Sequence, residues 1–221
     1  MSILPKPFNK LSLILGLLML TSLLSACPSW FQPQTKVIEY DEEVKLHDGS
    51  MIWVHIKRHY ILTGGGALGD PGSFKKRYVP KEVEISWDTG FPNVGRKSVY
   101  FTSIQIFDKY QDSFYVVGGT AHKTSGSISE KSLNCSDIGV EVLHRRCLVA
   151  LDSEGRFFKA NPEVIKNFNN MNILYPEGVK NWGSLPQELD GKRLTWNEKT
   201  LLQNSQPHKF QRIGKPFLTG E

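Results

Sequence analysis

The pattern of hydrophobic and polar residues predicts a domain built mainly from β-strands. Between Ser50 and Tyr60 the apolar residues Ile52, Val54 and Ile56 alternate with Met51, Trp53 and His55, which is the spacing of a strand with one buried face. Further runs rich in β-branched and aromatic residues are Val37–Leu46, Glu82–Trp87, Ser98–Phe107, Ser113–Val117 and Cys147–Leu151. Each run has the length and composition of a strand.

Turn residues separate these runs. Asp48-Gly49 lies between the first two runs and predicts a β-hairpin, because this dipeptide suits the tight turn that a hairpin needs. Asp190-Gly191, between Leu189 and Arg193–Trp196, predicts a second hairpin late in the chain. Other predicted turns are Asp88–Gly90, Asp108–Asp112 and Asp152–Gly155.

Helical signals are sparse. Asn161 and Pro162 have the types of an N-cap and a first-turn residue, and they predict a short helix over 162–169. The stretches Gly64–Gly72 and Gly118–Ser136 are predicted to be loops. The predicted fold class is mainly β, a sandwich or curled antiparallel sheet with one or two short helices.

The first residues have the pattern of a secretory signal peptide. Lys6 and Lys10 precede the apolar run Leu11–Leu24, and small residues follow it. The run has 14 residues, whereas a membrane-spanning helix needs about 20. An uncleaved anchor helix is the alternative interpretation.

The end of this segment, Leu24-Ser25-Ala26-Cys27, resembles the lipobox of bacterial lipoproteins. The resemblance implies cleavage before Cys27 and attachment of lipid to its thiol, so that the membrane itself is a partner. Pro28 stands where an aspartate is associated with retention in the inner membrane, which favours the outer membrane facing the periplasm. We therefore expect a signal peptide over 1–26, a lipidated cysteine and tether over 27–36, and one β-rich envelope domain over 37–221.

The start of the domain also carries a resemblance. Tyr40–Val44 and Leu46–Val54 resemble the opening of an uncharacterised family of proteobacterial lipoproteins, in which an acidic strand, an Asp-Gly turn and an apolar strand follow the tether. This resemblance implies an envelope protein of unknown activity. It brings no functional residue to this chain.

The charge balance limits the possible partners. Removal of residues 1–26 takes away two lysines and no acidic residue, so the formal net charge falls from +5 to +3. Such a mildly basic domain suits an anionic lipid or glycan surface, and it lacks the strong basic patch of a nucleic-acid-binding protein.

Two cysteines remain after Cys27. Cys135 and Cys147 are predicted to form a disulfide, because an exported domain folds in an oxidising compartment. Two buried free thiols, or a metal site that includes His144, are the alternatives. The spacing of these residues does not match that of zinc ligands, so we predict no metal site.

Short matches to catalytic motifs lack their structural context. Gly64–Gly69 fits a dinucleotide-binding pattern, but Asp70-Pro71-Gly72 follows where a helix should begin. Ser73–Lys76 and Lys123–Gly126 fit fragments of the penicillin-recognising pattern without its remaining elements. We therefore predict no cofactor.

The histidines and charged clusters have simpler interpretations. His55 and His59 are four residues apart, but they lie in a predicted strand and lack the glutamate of a zinc-protease helix. Asp41–Glu43 is interpreted as a solvated strand edge that discourages pairing. Two basic clusters, Lys75-Lys76-Arg77 with Lys81 and Arg145-Arg146, are candidates for contact with lipid headgroups or anionic glycans, and a solvated surface is the alternative.

These observations favour a non-enzymatic binding or assembly module that contacts an envelope protein or a cell-wall glycan. The rival hypothesis is an envelope hydrolase with a site scattered in sequence and His55, His59 or His122 as its base.

Overall fold

The computed structural model describes residues 35–63, 77–119, 135–143, 146–168, 170–174, 185–207, 209–210 and 213–217. Residues Thr35–Glu221 form one compact unit. Both hydrophobic cores described below, and the cysteine pair, lie within this unit.

The first sheet, here called sheet A, contains four strands in chain order and one late strand. Its members are β1 (Thr35–Lys45), β2 (Met51–Thr63), β3 (Arg77–Asp88), β4 (Arg96–Phe101) and β10 (Arg193–Leu194), in the order β10-β1-β2-β3-β4. Neighbouring strands from β1 to β4 are antiparallel, whereas β10 pairs with β1 in parallel. The Asp48-Gly49 turn joins β1 to β2, as predicted.

The second sheet, sheet B, is also antiparallel. It contains β5 (Ser103–Tyr110), β6 (Ser113–Gly119), β7 (Gly139–Leu143), β8 (Arg146–Leu151) and β9 (Phe157–Phe158). The order is β5-β6-β8-β7, and β9 pairs with β8.

Helices are few among the described residues. The first, α1 (Cys135–Ile138), is a single turn, and α2 (Trp196–Ser205) has ten residues. Thr195 and Glu198 form a capping box at the start of α2, which satisfies amides that a helix N-terminus leaves free. Two 3-10 helices span Pro162–Asn167 and Gln187–Leu189. No helix in the described ranges is long and apolar enough to cross a membrane.

Sheet B is buried on both faces because its residues alternate between two cores. Phe114 and Val116 face the core shared with sheet A, whereas Tyr115 and Val117 face a second core. Ile165 and Phe168, in and just after the first 3-10 helix, cover that second core.

The predicted fold class is confirmed, since the described chain is mainly β with two packed sheets and one helix of more than seven residues. The sequence predicts one strand over Ser98–Phe107, but this run forms two strands because the chain crosses from sheet A to sheet B at Thr102. The predicted helix at 162–169 is a 3-10 helix over Pro162–Asn167, and Asn161 caps it as expected.

The late hairpin prediction is wrong. Asp190-Gly191 is followed by β10, which pairs with the distant strand β1, and a 3-10 helix precedes it. Gly191 has a φ of 68° and its amide donates to the Glu39 carbonyl. The Asp-Gly pair therefore makes a turn that delivers the chain to the edge of sheet A.

Candidate functional site

The outer face of sheet A presents a row of bonded polar side chains. Residues of β1 alternate, so that Tyr40 and Glu42 point into the protein while Glu39 and Asp41 point outward. Directly opposed residues of antiparallel strands share a face. The register therefore places Glu39, Lys57, Glu84 and Tyr100 in one line across β1, β2, β3 and β4.

We call these four residues the outer ladder. Lys57 Nζ lies 2.7 Å from Glu39 Oε1, and this bond lowers the pKa of Glu39 and raises that of Lys57. Desolvation, together with a hydrogen bond to Glu84, raises the pKa of Tyr100 to about 12. Each side chain in the row is thus held by a neighbour on the next strand.

A histidine extends this polar face. His55 Nδ1 lies 2.8 Å from Asp41 Oδ1, and its Nε2 lies 3.7 Å from Glu39 Oε2. His59 shares the face, opposite Val37 and Glu82. Across the described chain no group of three or more His, Cys, Asp or Glu residues could hold a metal ion.

An aromatic contact lies at the other end of this face. The guanidinium of Arg193 lies 4.1 Å from the ring centre of Trp53, a cation–π distance. Glu43, opposite Trp53, accepts a hydrogen bond of 2.9 Å from the Trp196 amide. The parallel strand β10 therefore brings a cation onto an aromatic ring beside the outer ladder.

The inner face of β1 and β2 contains buried charges. Glu42 and Lys199 are both fully buried, with Lys199 Nζ 3.6 Å from Glu42 Oε1. Burial raises the pKa of Glu42 and lowers that of Lys199, because desolvation disfavours each charged form. The interpretation of Asp41–Glu43 as a solvated edge is wrong for Glu42, which points into the core while its two neighbours point outward.

The buried charges hold a segment of irregular backbone. The Leu174 amide donates to Glu42 at 3.2 Å, and its carbonyl accepts from Arg58 at 2.9 Å and from the Tyr40 hydroxyl at 3.2 Å. Lys199 Nζ donates to the Asn172 carbonyl at 2.6 Å. These backbone groups, which pair with no strand, are thus satisfied by acidic, basic and phenolic side chains.

A second histidine contact lies just after the C-terminal end of β1. Asp108, only 3% exposed, accepts hydrogen bonds from His47 Nδ1 at 2.7 Å and from the His47 amide at 3.0 Å. Burial raises the pKa of Asp108. The carboxylate fixes the imidazole from one side, and no described residue bonds to its Nε2.

The two cysteines meet as predicted. Cys135 and Cys147 lie at disulfide distance, with Cα atoms 5.5 Å apart. The pair joins α1 to β8, beside Gly139, where an added Cβ would meet the Cys147 sulfur at 2.8 Å. The alternative with two free thiols does not fit this geometry.

Several predicted residues lie outside the described ranges. These are Cys27, His122, His144, Gly64–Gly69, Ser73–Lys76, Lys123–Gly126 and Arg145. Arg146 is described, and its guanidinium donates to Ser103 Oγ at 3.1 Å.

Sequence reasoning missed the outer ladder. The alternation of β2 and β3 places Lys57 and Glu84 on exposed faces, so that each position could be found from sequence. Their pairing with Glu39 and Tyr100 depends on strand register, for which the sequence carries no direct signal.

Comparison of the chain with known protein families, with curated proteins and with solved structures finds no match.

Proposed function

We propose that this chain is a lipoprotein of the bacterial cell envelope, anchored through lipid on Cys27, whose domain is a non-enzymatic binding module. The outer ladder and its surroundings are the proposed binding surface. The observation that supports the proposal is an exposed sheet face on which Trp53, Tyr100 and Arg193 stand among mutually bonded polar side chains.

These residue types favour recognition. Trp, Tyr and Arg are the residues that most often dominate binding energy at protein interfaces. The bond between Lys57 and Glu39, and that between Tyr100 and Glu84, restrain these side chains before any partner arrives. Less side-chain freedom is therefore lost on binding.

The proposed anchor keeps this surface close to a membrane. Residues 28–34 separate Cys27 from β1, and seven residues span about 25 Å at most. Lipidation would place the domain at the periplasmic side of the outer membrane, consistent with proline at position 28. A partner would be an envelope protein or a cell-wall glycan within that reach.

The anchor is tested by mass spectrometry of the purified protein and by cell fractionation. We expect the first residue of the mature chain to be a cysteine carrying acyl chains, and Cys27→Ala to carry no acyl mass. An unprocessed N-terminus in the membrane fraction would instead support an anchor helix.

The surface is tested by photocrosslinking in intact cells. A photoreactive phenylalanine analogue replaces Trp53 or Tyr100 in separate variants, and Leu201 in a control. Leu201 lies on α2 and is 67% exposed, so it reports crosslinking to a different surface. Specific adducts at Trp53 and Tyr100 but not at Leu201 would support the proposal, whereas equal yields at all three positions would contradict it.

The His47–Asp108 pair supports a second candidate function, an envelope hydrolase. The buried carboxylate of Asp108 is hydrogen-bonded to His47 Nδ1 and orients the imidazole, so that His47 Nε2 could accept a proton from water or a hydroxyl. The test is hydrolysis of ester and glycan substrates by the wild type, His47→Ala and the control His59→Ala. Turnover that only His47→Ala abolishes would establish the enzyme, and absence of turnover in the wild type would favour the binding module.

A further inference from the structure

The end of sheet A that adjoins the tether projects beyond β4. The last pair between β3 and β4 joins Val83 to Phe101, whereas β3 begins six residues earlier at Arg77 and pairs there with β2. Six residues of strand correspond to about 20 Å. We call the ends of β1, β2 and β3 in this region the sheet tip.

The sheet tip carries apolar side chains and two lysines. Ile61 and Val79 are directly opposed, and both are partly exposed, as is Val37 near the start of β1. Lys36 and Lys81 lie at the same end and are also partly exposed. Apolar and basic side chains together suit the boundary between headgroups and acyl chains of an anionic membrane.

The tip is the part of the domain nearest the proposed anchor. The tether enters at Thr35, the first residue of β1, which pairs with Ile61. β1 then runs about 33 Å away from this point to Lys45. A tether of about 25 Å at most therefore keeps the tip within that distance of the anchoring bilayer.

The backbone of the tip disfavours a protein strand as its partner. Pro80 lacks an amide donor, and the register of β3 against β2 shifts at this point, with Lys81 as the extra residue. A proline and a bulge both obstruct pairing along a strand edge. A protein partner is therefore not expected to pair a β-strand with the edge of β3 where that strand extends past β4.

We propose that the sheet tip contacts the surface of an anionic lipid bilayer, with Lys36 and Lys81 at the headgroups and Ile61 and Val79 at the interface. This inference rests on the proposed anchoring through Cys27. The contact would orient the domain with the strands of sheet A along the membrane normal, so that the outer ladder runs parallel to the membrane and its face points sideways toward a partner.

The experiment uses residues 28–221, which contain the compact unit with both cores and the cysteine pair, and which carry no lipid. Binding to vesicles of equal parts phosphatidylglycerol and phosphatidylcholine is measured by co-sedimentation, with circular dichroism as a check of folding. Lys36→Gln and Lys81→Gln should each weaken binding about fivefold, the effect of one basic residue near an anionic surface. The control Lys45→Gln removes the same charge at the exposed far end of β1 and should leave binding unchanged.

The proposal is overturned if the wild-type chain does not bind these vesicles, or if Lys45→Gln weakens binding as much as Lys36→Gln. The second result would show attraction by net charge alone. A photoreactive residue at Ile61 in the lipidated protein gives an independent readout, because adducts with lipid support the contact and adducts with protein contradict it. Failure of lipidation is detected separately by the mass of the mature N-terminus, so the two proposals can fail independently.

Discussion

Lys199 Nζ lies 3.6 Å from Glu42 Oε1, and neither side chain is exposed to solvent. The contact joins α2 to β1, and each partner also bonds to the irregular segment between Asn172 and Leu174. A buried ion pair gives little net stability over an apolar pair of the same volume. Its arrangement instead fixes where the helix and this segment dock on sheet A.

The costs of removing the two partners should not add. Glu42→Gln leaves Lys199 and Arg58 without the carboxylate that attracts both, and Lys199→Met leaves Glu42 without one of its two cationic neighbours, so each should lower the free energy of unfolding by about 3–5 kcal/mol. The double variant contains neither charge and should be more stable than the sum of the two losses predicts. Urea unfolding of the four proteins measures this coupling.

A surface pair provides the control. Arg156 lies 2.8 Å from Glu154, and both side chains are about two-thirds exposed. Glu154→Gln should change the free energy of unfolding by less than about 1 kcal/mol. The explanation of the buried pair fails if Glu42→Gln and Lys199→Met cost as little as this control, or if their effects simply add.

Part of this arrangement could be predicted from the sequence. Glu42 lies two residues from both Tyr40 and Val44 along β1, so strand alternation alone places it on the same inner face as these residues. The acidic neighbours Asp41 and Glu43 obscure that signal because they suggest a solvated cluster. Lys199 could not be predicted, since nothing near it in sequence indicates that a largely polar helix buries a lysine.

The crossing between sheets could not be read from the sequence either. Residues 98–107 form one run rich in β-branched and aromatic residues, yet the chain leaves sheet A at Thr102, whose amide donates to the Gly119 carbonyl. Gly118 permits this crossing, because an added Cβ would lie 2.4 Å from the Ser103 carbonyl. The decisive contact is between residues distant in sequence, which local patterns do not reveal.

The raised pKa of Tyr100 should be measurable and should reflect its contact with Glu84 in the outer ladder. Desolvation and the neighbouring Glu84 raise its pKa to about 12, so its phenol should ionise about two pH units above the usual value near 10. Because the folded state retains the proton longer than the unfolded state, this residue's contribution to stability should fall between about pH 10 and pH 12. NMR of ring-labelled tyrosine measures the transition.

Substitution of the neighbour tests the cause. Glu84→Gln should lower the pKa of Tyr100, because it removes the negative charge that disfavours the phenolate. Glu188→Gln, remote from the ladder, should leave it unchanged. An unchanged Tyr100 titration in Glu84→Gln would show that the two side chains are not coupled and that the ladder ends at β3.

The cysteine pair should contribute measurably to stability. Cys135 and Cys147 are 12 positions apart, and closing a loop of this size stabilises a protein by about 3 kcal/mol in the chain-entropy treatment. Cys135→Ser/Cys147→Ser should therefore lower the free energy of unfolding by roughly this amount. A reducing agent should destabilise the wild type and leave the double variant unaffected. Equal stability of wild type and variant in oxidising buffer would contradict a formed disulfide.

Asn172 should be the most sensitive neutral residue between the two sheets. Its side-chain amide donates to the Phe107 carbonyl at 2.7 Å and to the Lys45 carbonyl at 3.0 Å, and it accepts from the Phe107 amide at 2.9 Å. It thereby joins β1 in sheet A to β5 in sheet B. Asn172→Ala leaves these buried groups without partners and should cost about 3 kcal/mol or more.

Asn172→Asp separates the loss of donors from the loss of volume. A carboxylate keeps the bond from the Phe107 amide but faces two carbonyl oxygens, whereas the protonated acid can donate to one of them. The folded state should hold that proton to a higher pH than the unfolded state, so the variant's stability should fall as the pH rises through the acidic range toward neutrality. Urea unfolding across that range, relative to wild type, measures the effect. Asn204→Asp, at an exposed position on α2, should show no comparable pH dependence, and a similar profile for both variants would mean that Asn172 does not hold the two strands together.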